Sequence, residues 1–157
     1  LWNMPREGFE QLYNLLPGPK PSPEDAWALT GGNPKMLEEL HVAGWDAGRI
    51  VGMLVESRGL TDFVKELDGA SREILMRTVE DPDTIFEGLE DGHVKRLRDK
   101  LVEKNLLIKV PERQDYLWVD EPPPEKDPGL GIGRYYAWQT PLHREAIGKA
   151  LEAARSG

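Results

Sequence analysis

The chain has 157 residues, a formal net charge of −8 and no cysteine, which excludes disulfides, cysteine-ligated zinc and thiol catalysis. No apolar run approaches the roughly 20 residues of a membrane-spanning helix, and the acidic balance argues against a generic nucleic-acid coat, since phosphate binding runs on Lys and Arg. Charged residues make up 31% of the chain against seven Asn and Gln, a ratio that fits a thermophile's cytoplasm.

The N-terminal stretch "LWNMPREGFEQ" lacks the basic flank and apolar core of a signal peptide, and a start at Leu1 rather than Met reads as a fragment of a longer protein. Pro5 opens a predicted helix through Leu16, with Phe9, Leu12, Tyr13 and Leu16 at helical spacing. "PGPKP" (17–21) is a stiff connector. Ser22 then suits an N-cap, with Pro23 at the first helical position and Asp25 at the third. That helix closes through Trp27 and Leu29 against "LTGGNP", where two glycines and an Asn-Pro interrupt the helical pattern. Glycine costs about 1 kcal/mol and proline about 3 kcal/mol in a helix interior, so a corner is expected here. Asn33 caps the next helix, Pro34 starts it and Gly44 ends it; Asp46 caps another carrying Ile50, Met53 and Leu54, with Gly59 as its stop. The first 60 residues read as a small bundle of four short helices.

Residues 61–157 read as a second unit. Thr61 or Asp62 opens a helix with Phe63 and Leu67. Ser71 caps "REILMRTV", which points Ile74, Leu75 and Val79 inward, and Asp81-Pro82 starts a brief helix holding Ile85 and Phe86. Asp91 caps "GHVKRLRDKLVEK", with Val94, Leu97 and Leu101 as its buried stripe and Asn105 as a left-handed stop. The period then changes to that of strands. "LLIKV" (106–110) and "YLWV" (116–119) form an expected hairpin across "PERQD", a long loop covers 120–133, and "RYYAWQT" is a third strand candidate. Thr140 and Pro141 begin a closing helix. The expected fold is therefore mainly α: a helical lid-type bundle (1–60), then a winged helix-turn-helix with a β-hairpin wing (61–157).

No catalytic motif is present: no G-x-S-x-G, no H-E-x-x-H and no Walker A loop. His41, His93 and His143 lie in separate helices without a ligand-type partner at i+4, and "GLGIG" (129–133) lacks the strand-before, helix-after context of a dinucleotide loop. This chain alone is expected to catalyse nothing. Two binding features remain. Residues 93–113 hold seven basic side chains against three acidic ones, while residues 80–91 hold six acids and no base. With Val94, Leu97 and Leu101 buried, Lys95, Arg96, Arg98 and Lys100 spread over the exposed arc of a recognition-type helix, and Arg113 stands at the wing tip. That set fits double-stranded DNA; a solvated basic face, or a protein partner, is the other reading. The "TGGNP" corner is the second feature. A helix N-terminus offers outward amides and partial positive charge, and glycine admits a close ligand, so the corner is either a plain turn or a nucleotide contact. The aromatic residues Trp118, Tyr135, Tyr136 and Trp138 fill the winged-helix core or form an exposed patch for a partner.

A short helical bundle bearing Gly-Gly-Asn-Pro, followed by a winged helix, resembles the C-terminal half of archaeal ATPases of the STAND branch of the AAA+ class. In that family "LTGGNP" sits in the helical lid after the nucleotide-binding core, and "MPREGFEQLYNLL" resembles the lid's opening helix. The resemblance implies an ATP- or ADP-contacting role for Gly32, Asn33 and Pro34, exercised only with an upstream nucleotide-binding domain. It also sets Lys35 where related origin-recognition initiators carry a phosphate-sensing arginine, although a lysine is a point charge rather than a planar fork. The implied function is a C-terminal regulatory fragment of an ATP-dependent switch. The alternatives are a free-standing winged-helix DNA-binding regulator and a protein-interaction adaptor with no nucleotide link.

Overall fold

The computed structural model describes residues 4–110 and 126–156. They form nine α-helices and one two-stranded antiparallel sheet. The helices are α1 (Arg6–Leu15), α2 (Pro23–Thr30), α3 (Pro34–Val42), α4 (Ala47–Ser57), α5 (Leu60–Glu66), α6 (Gly69–Glu80), α7 (Asp83–Glu87), α8 (Gly92–Glu103) and α9 (Pro141–Ser156). The strands are β1 (Leu107–Lys109) and β2 (Tyr136–Trp138).

Capping chemistry explains most helix starts. The side chains of Ser22, Asn33 and Asp46 accept from the amides of Asp25, Met36 and Arg49, each three residues on, which satisfies donors that a helix start leaves unpaired. The Thr140 hydroxyl accepts from the His143 amide in the same way. Two ends close with paired return bonds. Gly44 and Asn105 are left-handed, at φ 68° and φ 57°. The residues after them, Trp45 and Leu106, donate back to Leu40 and Leu101. The second of these closures drops Leu106 into the core and starts β1.

Several expectations are corrected. The cap of α6 is Asp68, whose carboxylate accepts from the Ser71 amide at 2.7 Å, so Ser71 lies inside the first turn and is buried. The aspartate is the stronger acceptor and outcompetes the hydroxyl three residues on. Helix α5 begins at Leu60 rather than at Thr61 or Asp62, because Leu60 is itself fully buried. Met53 and Phe86 face solvent, at 46% and 44% exposure. The strand 107–109 pairs with 136–138, in the register Leu107 to Trp138, Ile108 to Ala137 and Lys109 to Tyr136. The expected partner strand 116–119 lies outside the described residues.

The main core runs from Met36 and Leu40 of α3, through Ile50, Val51 and Leu54 of α4, to Leu142, Ala146, Ile147 and Ala150 of α9. Helix α9 packs against α2, α4, α5 and α6, so its small alanines let several helices meet over one stripe. Trp138, 2% exposed, closes the core from the sheet side, and its indole N–H donates to the Thr78 carbonyl, as a buried indole requires. A smaller cluster of Phe9, Tyr13, Ala26 and Leu37 ties α1 to α2 and α3, with Trp27 packed edge-on against Phe9. That cluster positions the glycine corner.

Candidate functional site

The corner between α2 and α3 is built tightly from within the chain. Gly31 and Gly32 are buried and left-handed, at φ 61° and φ 90°. A Cβ at Gly32 would stand 2.6 Å from the Met4 carbonyl oxygen and 2.9 Å from the Trp27 ring, and the Met4 amide donates to the Gly32 carbonyl at 2.9 Å. Glycine is thus required by contact with the chain's own N-terminal segment. The corner amides are also engaged: Gly31 donates to Trp27, Gly32 to the Thr30 hydroxyl, Asn33 to the Thr30 carbonyl, and Met36 to the Asn33 side chain. Those amides do not form a phosphate cradle. What the corner offers outward is the Pro34 ring and the Lys35 side chain, both exposed, beside a half-buried Asn33. An apolar ring and a cation therefore stand side by side at the surface of the corner.

The basic helix is partly committed to the fold. Lys95, Arg96 and Lys100 are exposed on α8. Arg98 is only half-exposed; its guanidinium donates to the Tyr136 hydroxyl at 3.2 Å and to Asp99 at 2.9 Å, which ties α8 to β2. His93 Nδ1 lies 3.4 Å from Arg96 and 3.5 Å from Asp68. Arg113 lies outside the described residues. The exposed cationic arc therefore consists of Lys95, Arg96 and Lys100.

Asp83 was not singled out by sequence, yet it organises the sheet side of the molecule. It is 5% exposed. Its carboxylate accepts from the amides of Arg134 and Tyr135, both at 2.9 Å, from that of Tyr136 at 3.4 Å, and from the Lys126 ammonium at 2.9 Å. Lys126 also bonds Asp81. Burial pushes the Asp83 acid up, but the bonds from Arg134, Lys126 and Tyr135 outweigh it, and the net position is below the ordinary carboxylate value. Gly133 permits this approach, since a Cβ there would meet the Tyr136 carbonyl oxygen at 2.5 Å. The pinned loop stacks Tyr135 on Phe86 with ring centres 3.7 Å apart. Of the aromatic residues, Tyr136 and Trp138 fill the core and Tyr135 is surface-facing, while Trp118 lies outside the described residues. The only sequence signal was the Asp-Pro-Asp at 81–83; nothing local connects it to residues about 50 positions later.

His143 is buried against Thr140, whose hydroxyl lies 2.6 Å from Nδ1. Burial, with the charges of Arg58 and Lys35, lowers its pKa to about 4, so the imidazole is neutral near pH 7. Arg58 at the end of α4 donates to the Lys104 carbonyl, and Lys104 donates back to the Arg58 carbonyl at 3.1 Å. The C-terminal ends of α4 and α8 are thereby joined, each cation answering the other's orphan carbonyl. Among the described residues, no group of three His, Cys, Asp or Glu is placed to hold a metal ion, and no helix is long and apolar enough to cross a membrane.

Residues 1–40 match a family model described as an ATPase domain predominantly from Archaea. That segment includes α1, α2, the glycine corner and most of α3. Over that segment the chain is similar to archaeal ATPase domains. Comparison with curated proteins and with solved structures gave no match.

Proposed function

We propose that this chain is the C-terminal regulatory part of an ATP-dependent switch of the STAND/AAA+ type, with residues 1–60 as the helical lid and 61–157 as a winged helix. The observation that carries the reading is the archaeal ATPase match over residues 1–40, which contains the Gly31–Pro34 corner. Exposed Pro34 and Lys35 give that corner a surface that a nucleotide held by an upstream domain can touch. The chain order α6, α7, α8, β1, β2 is compatible with a winged helix. The joined ends of α4 and α8 supply a mechanical link from lid to recognition helix, as hinge-type switching needs. DNA contact would run through Lys95, Arg96 and Lys100.

Two tests follow. The coding sequence upstream of Leu1 should contain G-x-x-x-x-G-K-[ST] after a strand; an initiator Met directly before Leu1 would refute the switch. For the output half, duplex DNA titrated at about 50 and 200 mM salt should bind with a steep salt dependence. Lys95→Glu with Lys100→Glu should abolish that binding while leaving the fold intact. Absence of DNA binding at low salt would assign the winged helix to a protein partner.

A further inference from the structure

A groove of about 890 Å³ runs between α3 and α4. Its walls include Val42, 81% exposed, and Met53, 46% exposed, over a floor that includes Ile50. Arg49 and Glu56 stand towards opposite ends of α4. Neither side chain is in an ion pair among the described residues.

The spacing on α4 is self-complementary. At 100° per residue, positions 49, 52, 53 and 56 fall within an arc of about 100°, opposite the buried Ile50, Val51 and Leu54. The pair 49/56 and the pair 52/53 share one midpoint. A two-fold axis through that midpoint brings residue 49 of one copy to residue 56 of the other, and residue 52 to residue 53, when the helices run antiparallel. Every contact so generated is favourable: cation to carboxylate twice, and Met53 over glycine twice. The space above Gly52 is open, with no atom within 4 Å of where a Cβ would stand. A mixed-charge partner helix of unrelated sequence would need this arrangement by coincidence; a second copy of the chain has it by construction.

We infer that α4 is the two-fold interface of a homodimer. Met53 of each chain sits in the α3–α4 groove of the other, and Arg49 pairs with the partner's Glu56. Val42 lines the same groove, beside Glu38 and Glu39 of α3.

Light scattering and sedimentation velocity on the chain, from about 5 to 200 µM, test this against the mass-action behaviour of a reversible dimer. The wild type should move from the 17.7 kDa of one chain towards twice that mass. Arg49→Glu and Glu56→Arg should each remain monomeric across the range, because each sets like charges against one another. An equimolar mixture of those two variants should recover the dimer, as should the double variant R49E/E56R. Gly52→Leu, which meets no atom within its own chain, should fold with an unchanged circular dichroism spectrum and stay monomeric. A wild type that is monomeric throughout would overturn the inference. So would a dimer that persists in Arg49→Glu, or a mixture of the complementary variants that fails to associate.

Discussion

Replacing Asp83 by alanine removes the one acceptor shared by three loop amides and the Lys126 ammonium. Hydrogen bonds to a charged group contribute about 1.5–3 kcal/mol each. The three amides share one loop, so their contributions do not add in full. Lys126 is 39% exposed and keeps Asp81, but each loop amide left without an acceptor costs about 1–3 kcal/mol, so a loss of about 3–5 kcal/mol is expected for Asp83→Ala. At this chain length about 1 kcal/mol shifts the melting temperature by roughly 2–4 °C, so a fall of about 6–20 °C should accompany it. Guanidinium unfolding followed by tryptophan fluorescence reads the loss, since Trp138 is buried within the element that Asp83 anchors. Asp83→Asn keeps one acceptor but turns an NH₂ towards donors, and should lose an intermediate amount. Because the folded acid sits below its ordinary value of 3.8, its contribution is present above that pH and is lost as pH falls through the lower, folded value. Asp83→Asn should therefore flatten the acid limb of the stability profile. A loss under about 1 kcal/mol in Asp83→Ala, below even one charged hydrogen bond, would refute the anchoring role. An unchanged acid limb in Asp83→Asn would do the same.

Three further outcomes are expected. Gly32→Ala forces a Cβ into the Met4 carbonyl at φ 90° and should cost about 2–3 kcal/mol by chemical denaturation; a neutral result would mean that the N-terminal segment is not seated on the corner. His143 is held neutral by burial, with a pKa of about 4 against 6.5, so stability should fall by a few kcal/mol in all between pH 6.5 and 4, where the unfolded chain binds the extra proton. His143→Gln should remove that slope, and a profile unchanged by the substitution would contradict the assignment. Arg98→Ala should lower stability by about 1–2 kcal/mol through the lost Tyr136 and Asp99 bonds; Tyr136→Phe, which removes only the first, should cost less alone and little further in the double variant. Full additivity in that cycle would show that the two side chains do not interact.

The helix boundaries were legible because their signals are local. Ser22-Pro23, Asn33-Pro34, Asp46 and Thr140-Pro141 each satisfy a helix start from within three residues, and Gly44, Gly59 and Asn105 carry the positive φ that stops require. The cap of α6 was misassigned because Asp68 and Ser71 both suit that role, and only relative acceptor strength decides. Apolar character alone does not place Phe86 and Met53: Phe86 stacks outward on Tyr135, and Met53 stands on the exposed arc of α4 and lines the α3–α4 groove. Of the candidate site, the cationic arc on α8 was readable from periodicity, but Arg98's attachment to Tyr136 spans 38 positions and has no local trace. The corner's glycines were read as room for a ligand. In the structure that room is taken by Met4 and Trp27, and the outward chemistry belongs to Pro34 and Lys35.

In the proposed switch, Pro34 and Lys35 face the nucleotide. The measurement that tests it is a titration of fluorescent ATP and ADP analogues into the protein carrying this chain together with its upstream segment, in wild type and in Lys35→Ala and Pro34→Ala. Binding should be tight in the wild type and fall about three- to tenfold in each variant, the size of one exposed charge or ring contact, with unfolding curves unchanged. Equal nucleotide affinity in all three proteins, or no binding by the wild type, would contradict it.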